Sequence, residues 1–124
     1  MCRWVLYNIK MSKVFWDDIV NLDKVERYIK RVSKSFEERE EYYRIIDEII
    51  HHRVMGCILE RLPEQDHSHF LKRFSKKPYD SSHFKFLGKR ISEDVEEFIK
   101  AEMEMLAEEL VDIFEGRRKL KAAN

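Results

Sequence analysis

The sequence predicts an all-α protein: a compact four- to five-helix bundle with one long central helix. The 124-residue chain has 39% charged residues but only three Gly and two Pro. That composition is typical of amphipathic helices with solvated outer faces, and it lacks the glycine that hairpin turns need. Apolar residues recur every three or four positions, and helix start and stop signals separate these stretches.

The first helix is predicted from Ser12, a capping residue, to Val32. Its apolar stripe comprises Phe15, Ile19, Leu22, Val25, Ile29 and Val32. The step at residues 21–23 can divide this helix, with Asp23 capping the second piece. Residues 1–11 have neither a cap nor a clear period, so we expect a poorly ordered N-terminal extension there.

The central helix is predicted at residues 36–62. Ser35 followed by Glu38 is a capping box, which starts the helix at Phe36. Apolar residues then cover more than one face, as a helix with neighbours on several sides requires. Gly56 costs about 1 kcal/mol relative to Ala inside a helix, so we expect another helix to approach closely there.

Two short helices are predicted next. Pro63 ends the central helix and starts the first of them, because a proline at the first helical position loses no hydrogen bond. The expected core residues of that helix are Phe70, Leu71 and Phe74. Asp80 or Ser81 then caps the second short helix. Its buried side is predicted to comprise Phe84, Leu87 and Ile91.

The last helix is predicted at residues 94–115, capped by Ser92 or Asp94. Its inward stripe comprises Val95, Phe98, Ile99, Glu102, Leu106, Leu110, Ile113 and Phe114. Gly116 is expected to follow the end of this helix, and residues 117–124 to form a basic tail. Residues 12–116 are therefore predicted to be a single helical domain.

Three stretches carry a family resemblance: the end of the long helix at residues 53–62, the junction at 62–66 with Phe70, and the segment 94–99 before an acidic helix. On these, residues 36–114 resemble an uncharacterised family, a domain of unknown function, of small helical proteins found mainly in candidate-phyla bacteria. The resemblance implies a helical fold. It implies no activity and no functional residue.

The net charge of zero hides segregated blocks. The net charge is +4 over residues 1–36, −5 over 37–66, +6 over 67–90 and −9 over 91–116, and the tail adds four basic residues. Such blocks have two explanations. The basic short helices lie beside the acidic last helix and the charges screen each other, or the blocks recognise a partner.

Three candidate sites follow from side-chain types and spacing. Glu48 and His51 have the Glu-x-x-His spacing of di-iron carboxylate bundles, and Glu102 is the candidate third metal ligand. A zinc site could also use His67, His69 and His83. The basic segment 67–90 interleaves cations with aromatics, so Lys72, Arg73, Lys76 and Lys77 are candidate phosphate contacts for nucleic acid. The flanking acidic blocks repel a polyanion, so we expect no nucleic-acid binding at physiological salt.

No catalytic motif and no cofactor motif stands out, and Cys57 is expected to be a core residue. With Cys2 as the other cysteine, no disulfide framework is predicted, which favours a reducing, cytoplasmic location. No apolar run is long enough to span a membrane. The leading hypothesis is a non-enzymatic helical protein-interaction module whose partner is another protein or a second copy. The alternatives are metal binding and nucleic-acid binding.

Overall fold

A computed structural model describes residues 14–19 and 21–123, with side chains up to residue 116 in the last helix. This part of the chain contains no strand and five α-helices. They are α1 (Asp23–Val32), α2 (Phe36–Arg61), α3 (His67–Lys76), α4 (Ser82–Gly88) and α5 (Val95–Ala123). Single 3-10 turns at Asp17–Ile19 and Glu64–Asp66 precede α1 and α3. The predicted all-α bundle with a long central helix is confirmed.

The helices α2 and α5 form the body of the fold. They run antiparallel, because Tyr42 contacts Phe114 near one end while Arg61 lies over the ring of Phe98 near the other. Helix α1 packs against both of them, and α4 packs against α5. The inward side of α2 is mainly apolar. Its buried residues are Tyr43, Ile46, Ile50, Val54, Cys57 and Ile58.

The caps of the two long helices follow the predicted chemistry. The Ser35 hydroxyl accepts a hydrogen bond from the backbone N–H of Glu38 at 3.1 Å. Asp94 accepts one from the N–H of Glu97 at 3.2 Å. Each cap satisfies a backbone donor that has no partner within its helix. Of the two capping residues considered for α5, the structure therefore uses Asp94.

The start of the described chain divides as predicted. A 3-10 turn and two residues without regular structure, Asn21 and Leu22, precede α1, but Asp23 does not cap that helix. Asp23 is the first helical residue, and its N–H donates to the Asn21 side chain at 3.1 Å. The predicted cap Ser12 and the extension 1–11 lie outside the described residues.

The helix α5 differs from the prediction at its C-terminal end. It continues through Gly116 to Ala123, so Gly116 does not end it and most of the predicted tail is helical. A helical glycine costs only about 1 kcal/mol, and the Arg, Lys, Leu and Ala residues that follow are strong helix formers. Ile113 was expected in the core but is 54% exposed. Met103 and Ala107 are buried instead.

The short helices α3 and α4 enclose an aromatic cluster. Phe15 from the N-terminal segment contacts the rings of Phe70, Phe74 and Phe84 edge-on. Leu71 was predicted to be buried, but it is 42% exposed because it lies about 100° around α3 from Phe70. Pro63 does separate α2 from α3. It precedes the 3-10 turn and is not itself the first residue of α3.

Candidate functional site

The three candidate metal ligands do not come together. The imidazole of His51 contacts the rings of Trp16 and Phe74, each at 5.7 Å between centroids. Glu102 is on α5, where it accepts a hydrogen bond from Arg53 at 3.4 Å. His51 and Arg53 are two positions apart on α2, about 200° around the helix, so His51 and Glu102 lie on opposite flanks of α2. Glu48 is exposed.

The other histidines make separate contacts. Nε2 of His67 lies 2.8 Å from the Leu62 carbonyl at the end of α2. Nε2 of His83 lies 2.6 Å from the Lys77 carbonyl, and the buried ring of His83 stands among phenylalanines. His69 contacts the edge of Phe86. Within the described residues, no three His, Cys, Asp or Glu side chains are grouped so that they could hold a metal ion.

An ionic cluster fixes the position of α2 against α5. The guanidinium of Arg53 donates to Glu109 at 2.6 Å and to Glu102 at 3.4 Å, and these carboxylates lie two turns apart on α5. The hydrogen bond that Arg53 donates to Glu109 raises the pKa of Arg53. Cys57 lies one turn further along α2. Burial and the Glu102 carboxylate raise the pKa of its thiol, which is therefore not an activated nucleophile.

On the opposite flank of α2, Asp47 is close to the N-terminal segment. Its partial burial, together with the carboxylates of Asp17 and Glu48, raises the pKa of Asp47 from 3.8 to about 6. Asp17 itself accepts a hydrogen bond from the backbone N–H of Val14 at 3.0 Å. One turn further, burial lowers the pKa of His51, and His52 contributes. Both shifts favour the uncharged form of the side chain, because both groups are partly buried.

The basic segment 67–90 uses its two arginines internally. Arg73 and Arg90 lie over the ring of Phe86 at 4.8 Å and 3.7 Å, and Arg73 also donates to the Ser82 hydroxyl at 3.2 Å. Arg90 pairs with Asp66 at 3.6 Å. Phe86 is consequently buried, which removes one more aromatic from the surface. Of the predicted phosphate contacts, Lys72, Lys76 and Lys77 remain exposed, whereas Arg73 is partly buried.

The screening expected between the basic and acidic blocks is only partial. Helix α4 does lie against α5. Among the described side chains, however, no ion pair joins residues 67–90 to residues 91–116. The acidic block takes its partners from Lys24, Arg53, Arg61 and its own Lys100. A lysine surface on α3, formed by Lys72 and Lys76, and an acidic surface on α5, formed by Glu104 and Asp112, therefore both remain open to solvent.

Exposed apolar side chains accompany both charged surfaces. Leu71 is next to Lys72 on α3, in a shallow groove that is also lined by Ser68 and Ser75. Met105 is 56% exposed on α5, next to Glu104. Each surface thus combines unpaired charge with an apolar side chain, which is the composition of a polar-rimmed docking patch.

A second groove lies on α2 at Gly56. The prediction that another helix approaches Gly56 is wrong within the described chain, because a Cβ atom built there would meet nothing within 4 Å. The groove is lined by Ile49, His52, Arg53, Gly56, Cys57 and Glu60. Nearby, Ile45, Met55 and Leu59 are only partly buried. These side chains pack against the edge of the core, and the groove at Gly56 is open in the part of the chain that the structure describes.

Comparison with known proteins assigns no relative. No family model matches the chain, and neither does any curated protein or solved structure. The resemblance of residues 36–114 to a family of small helical proteins therefore stays a prediction. Within the described part, no helix is both long and apolar enough to cross a membrane.

The sequence analysis predicted neither the bridging of Glu102 and Glu109 by Arg53 nor the stacking of two arginines, Arg73 and Arg90, on Phe86. The seven-residue spacing of Glu102 and Glu109, two helical turns, was a usable signal for a single cation bridging them. The positions of Arg73 and Arg90 gave no such signal. Their contact with Phe86 depends on how α3 and α4 pack, which the spacing of residues along one helix does not specify.

Proposed function

We propose that this protein is a non-enzymatic helical module that binds protein partners through its charged surfaces. The observation that supports this role is a pair of surfaces of opposite sign, the lysine surface on α3 and the acidic surface on α5, which form no ion pair with any side chain that the structure describes. Leu71 and Met105 place an exposed apolar side chain on each. Complementary charge speeds and orients association, while apolar contact supplies affinity.

The small stability gained from an exposed ion pair also explains why the charges of these two surfaces are not paired with each other. An exposed ion pair contributes only about 0–1 kcal/mol to stability, so folding gains little by pairing these charges internally. A docked partner excludes water from the same charges, and their interactions strengthen in the lower dielectric. The charges of these surfaces therefore contribute little to folding stability and are available to bind a partner.

Charge-reversed baits test the proposal. Wild-type protein, a Lys72→Glu/Lys76→Glu variant and a Glu104→Lys/Asp112→Lys variant are used to capture proteins from the native host. A variant with Arg27→Glu and Lys34→Glu is the control for the first, because it makes the same charge change at exposed positions on and after α1. We expect a partner that is lost with one charged surface and retained with the control. Identical captured sets for all four baits would contradict the proposal.

Nucleic acid is the competing ligand for the lysine surface, since Lys72, Lys76 and Lys77 are exposed. The rings of Phe70 and Phe86 are buried, so they offer no stacking platform for bases. We expect a single-stranded oligonucleotide not to bind at physiological salt. If it does bind, replacing Lys72, Arg73, Lys76 and Lys77 with Ala should reduce the slope of log affinity against log salt. The reduction should be about 0.7 for each of these side chains that binds a phosphate.

A further inference from the structure

The exposed residues of α3 form two adjacent ridges, since residues four positions apart line up along a helix surface. Ser68, Lys72 and Lys76 form a basic ridge. Leu71 and Ser75 form a second ridge beside it, and both ridges line the groove on α3. Leu71 comes one position before Lys72, so the ridge that bears the apolar side chain lies about 100° back around the helix.

The exposed residues of α5 form two ridges in the opposite order. Glu104, Glu108 and Asp112 form an acidic ridge. Ala101 and Met105 form the ridge beside it. Met105 comes one position after Glu104, so the ridge that bears the apolar side chain lies about 100° forward around the helix.

This opposite order makes the two surfaces complementary. When two helices face each other and run in the same direction, a step forward around one helix meets a step back around the other. The basic ridge of α3 then lies on the acidic ridge of α5, and Leu71 lies on Met105. In the antiparallel direction the lysines would meet Met105 instead. Packing through ridges of this kind inclines the two helix axes by about 50°, which is the commonest class in globular proteins.

We propose that α3 of one copy of this chain docks on α5 of a second copy, with the two helices running in the same direction. When Leu71 is placed opposite Met105 of the second copy, Lys72 lies between Glu104 and Glu108 of that copy. Lys76, one turn further, lies between Glu108 and Asp112 of the second copy. The small side chains of the two surfaces allow the helices to approach closely.

The charges that this contact uses are available in each copy. Among the described side chains, Lys72, Lys76, Glu104 and Asp112 form no ion pair. Glu108 pairs with Lys24 at 3.7 Å, and both of these side chains are mostly exposed. Such an exposed pair is weak, so it does not prevent Glu108 from turning to a docked lysine.

The complementarity favours a second copy over an unrelated partner. Charge, apolar side chain and direction all match between two surfaces of one chain, and a copy supplies both surfaces automatically. The contact is heterologous, so each copy uses one surface as donor and the other as acceptor, and association continues beyond two copies unless a ring closes. The inference rests on the proposed function and names the partner of its two charged surfaces.

Charge reversal with complementation tests the pairing. Sedimentation velocity is measured for wild type, for Lys72→Glu/Lys76→Glu, for Glu104→Lys/Asp112→Lys and for a mixture of the two variants. Each variant alone places like charges opposite each other, so we expect its dissociation constant to rise at least about tenfold. The mixture combines an intact α3 surface with an intact α5 surface, so it should associate again.

Two further variants control for net charge and for folding. Arg27→Glu/Lys34→Glu makes the same charge change as the α3 variant at exposed positions on and after α1, and it should associate like wild type. A variant that carries all four reversals has an acidic α3 and a basic α5, so it should also associate. Thermal melts confirm that each variant folds.

Cross-linking tests the direction of the helices in the same mixture. Leu71→Cys is added to the variant with the intact α3 surface, and Met105→Cys is added to the variant with the intact α5 surface. We expect a short bismaleimide to link these two positions. Gly116→Cys replaces Met105→Cys as the control, because it is exposed on the same side of α5 but lies eleven positions, about 16 Å, further along. Peptide mapping distinguishes this link from any at the native cysteines.

Four results would overturn the inference. They are a wild-type monomer at every accessible concentration, association that neither charge reversal weakens, a mixture that does not associate, and equal cross-linking at Met105→Cys and Gly116→Cys. A wild-type monomer whose charged surfaces still capture a host protein would overturn this inference and support the proposed function. The two failures are therefore distinguished.

Discussion

Adjacent isoleucines on α2 show how little residue type decides burial in this protein. Ile46 and Ile50 are buried in the core, whereas their neighbours Ile45 and Ile49 are only partly covered. One step along a helix rotates a side chain by about 100°, so each adjacent pair has one member inside the core and one packed against its edge. The fully buried isoleucines therefore contribute more to stability than the partly covered ones.

The largest expected loss of stability comes from substitutions on the inner face of α2. Replacing Ile46 or Ile50 with Asp buries an unpaired carboxylate, which costs several kcal/mol against a total stability of about 5–15 kcal/mol. We expect both variants to lose their cooperative thermal transition in circular dichroism. The matched variant Ile49→Asp, which differs from Ile50→Asp by one position, should keep that transition. Equal loss in all three would show that the outer face belongs to the core.

The same comparison extends to α3, where Phe70 is buried and Leu71 is exposed. Phe70→Ala removes a ring that contacts Phe15, Phe74 and Phe86, and should lower the free energy of unfolding by about 3–5 kcal/mol. Leu71→Ala should change it by less than about 0.5 kcal/mol, as at most surface positions. Urea unfolding of both variants measures the difference, and a small effect at Phe70 would refute the aromatic core.

A stabilising substitution sharpens the comparison on the outer face of α2. Gly56→Ala adds a methyl group into open space and should raise the free energy of unfolding by about 1 kcal/mol. Urea unfolding of the variant and of wild type measures the difference. A loss of stability would mean that an element of the same chain does approach Gly56.

The smallest expected effect concerns Asp47 on the flank of α2. Because its pKa is raised to about 6 in the folded state, the folded chain holds a proton that the unfolded chain releases above pH 3.8. The contribution of this group to stability is therefore complete below pH 3.8 and is lost as the pH rises through 6.

Asp47→Asn removes that dependence. The melting temperature of the variant should exceed that of wild type at pH 7 by a few degrees, a difference that shrinks toward pH 4. The exposed neighbour substitution Glu48→Gln is the control. A constant difference across this pH range would exclude Asp47 as its source.

The sequence predicted well the features that depend on adjacent residues. It did not predict the features that depend on how a neighbouring helix packs. Capping by Ser35 and Asp94 and the break before α1 depend on a few adjacent residues, so spacing alone identified them. Gly56 and Gly116 were misinterpreted because a glycine in a helix has a low cost and no unique meaning. Which of Ile113 and Met103 is buried depends on the position of α1 and α2 around α5, and no single-helix pattern contains that information.

For the candidate site, sequence patterns named residue types but not their partners. The spacing of Glu48 and His51 is real, yet the flank of α2 that bears His51 faces the aromatic rings of Trp16 and Phe74. The basic segment was recognised, but the use of Arg73 and Arg90 against Phe86 was not. The net charge of a segment is a sum over its residues and does not depend on how the helices pack. The charge blocks read from the sequence are therefore unchanged in the structure.

The buried thiol of Cys57 gives the molecule its own kinetic probe. The thiol lies beside Glu102 between α2 and α5, and its raised pKa leaves little thiolate to react while the helices are closed. The thiol also lines the groove at Gly56, so its labelling rate reports the local fluctuations that expose it beyond its burial in the closed fold. Peptide mapping distinguishes this thiol from Cys2, so the native sequence can be followed without any engineered label.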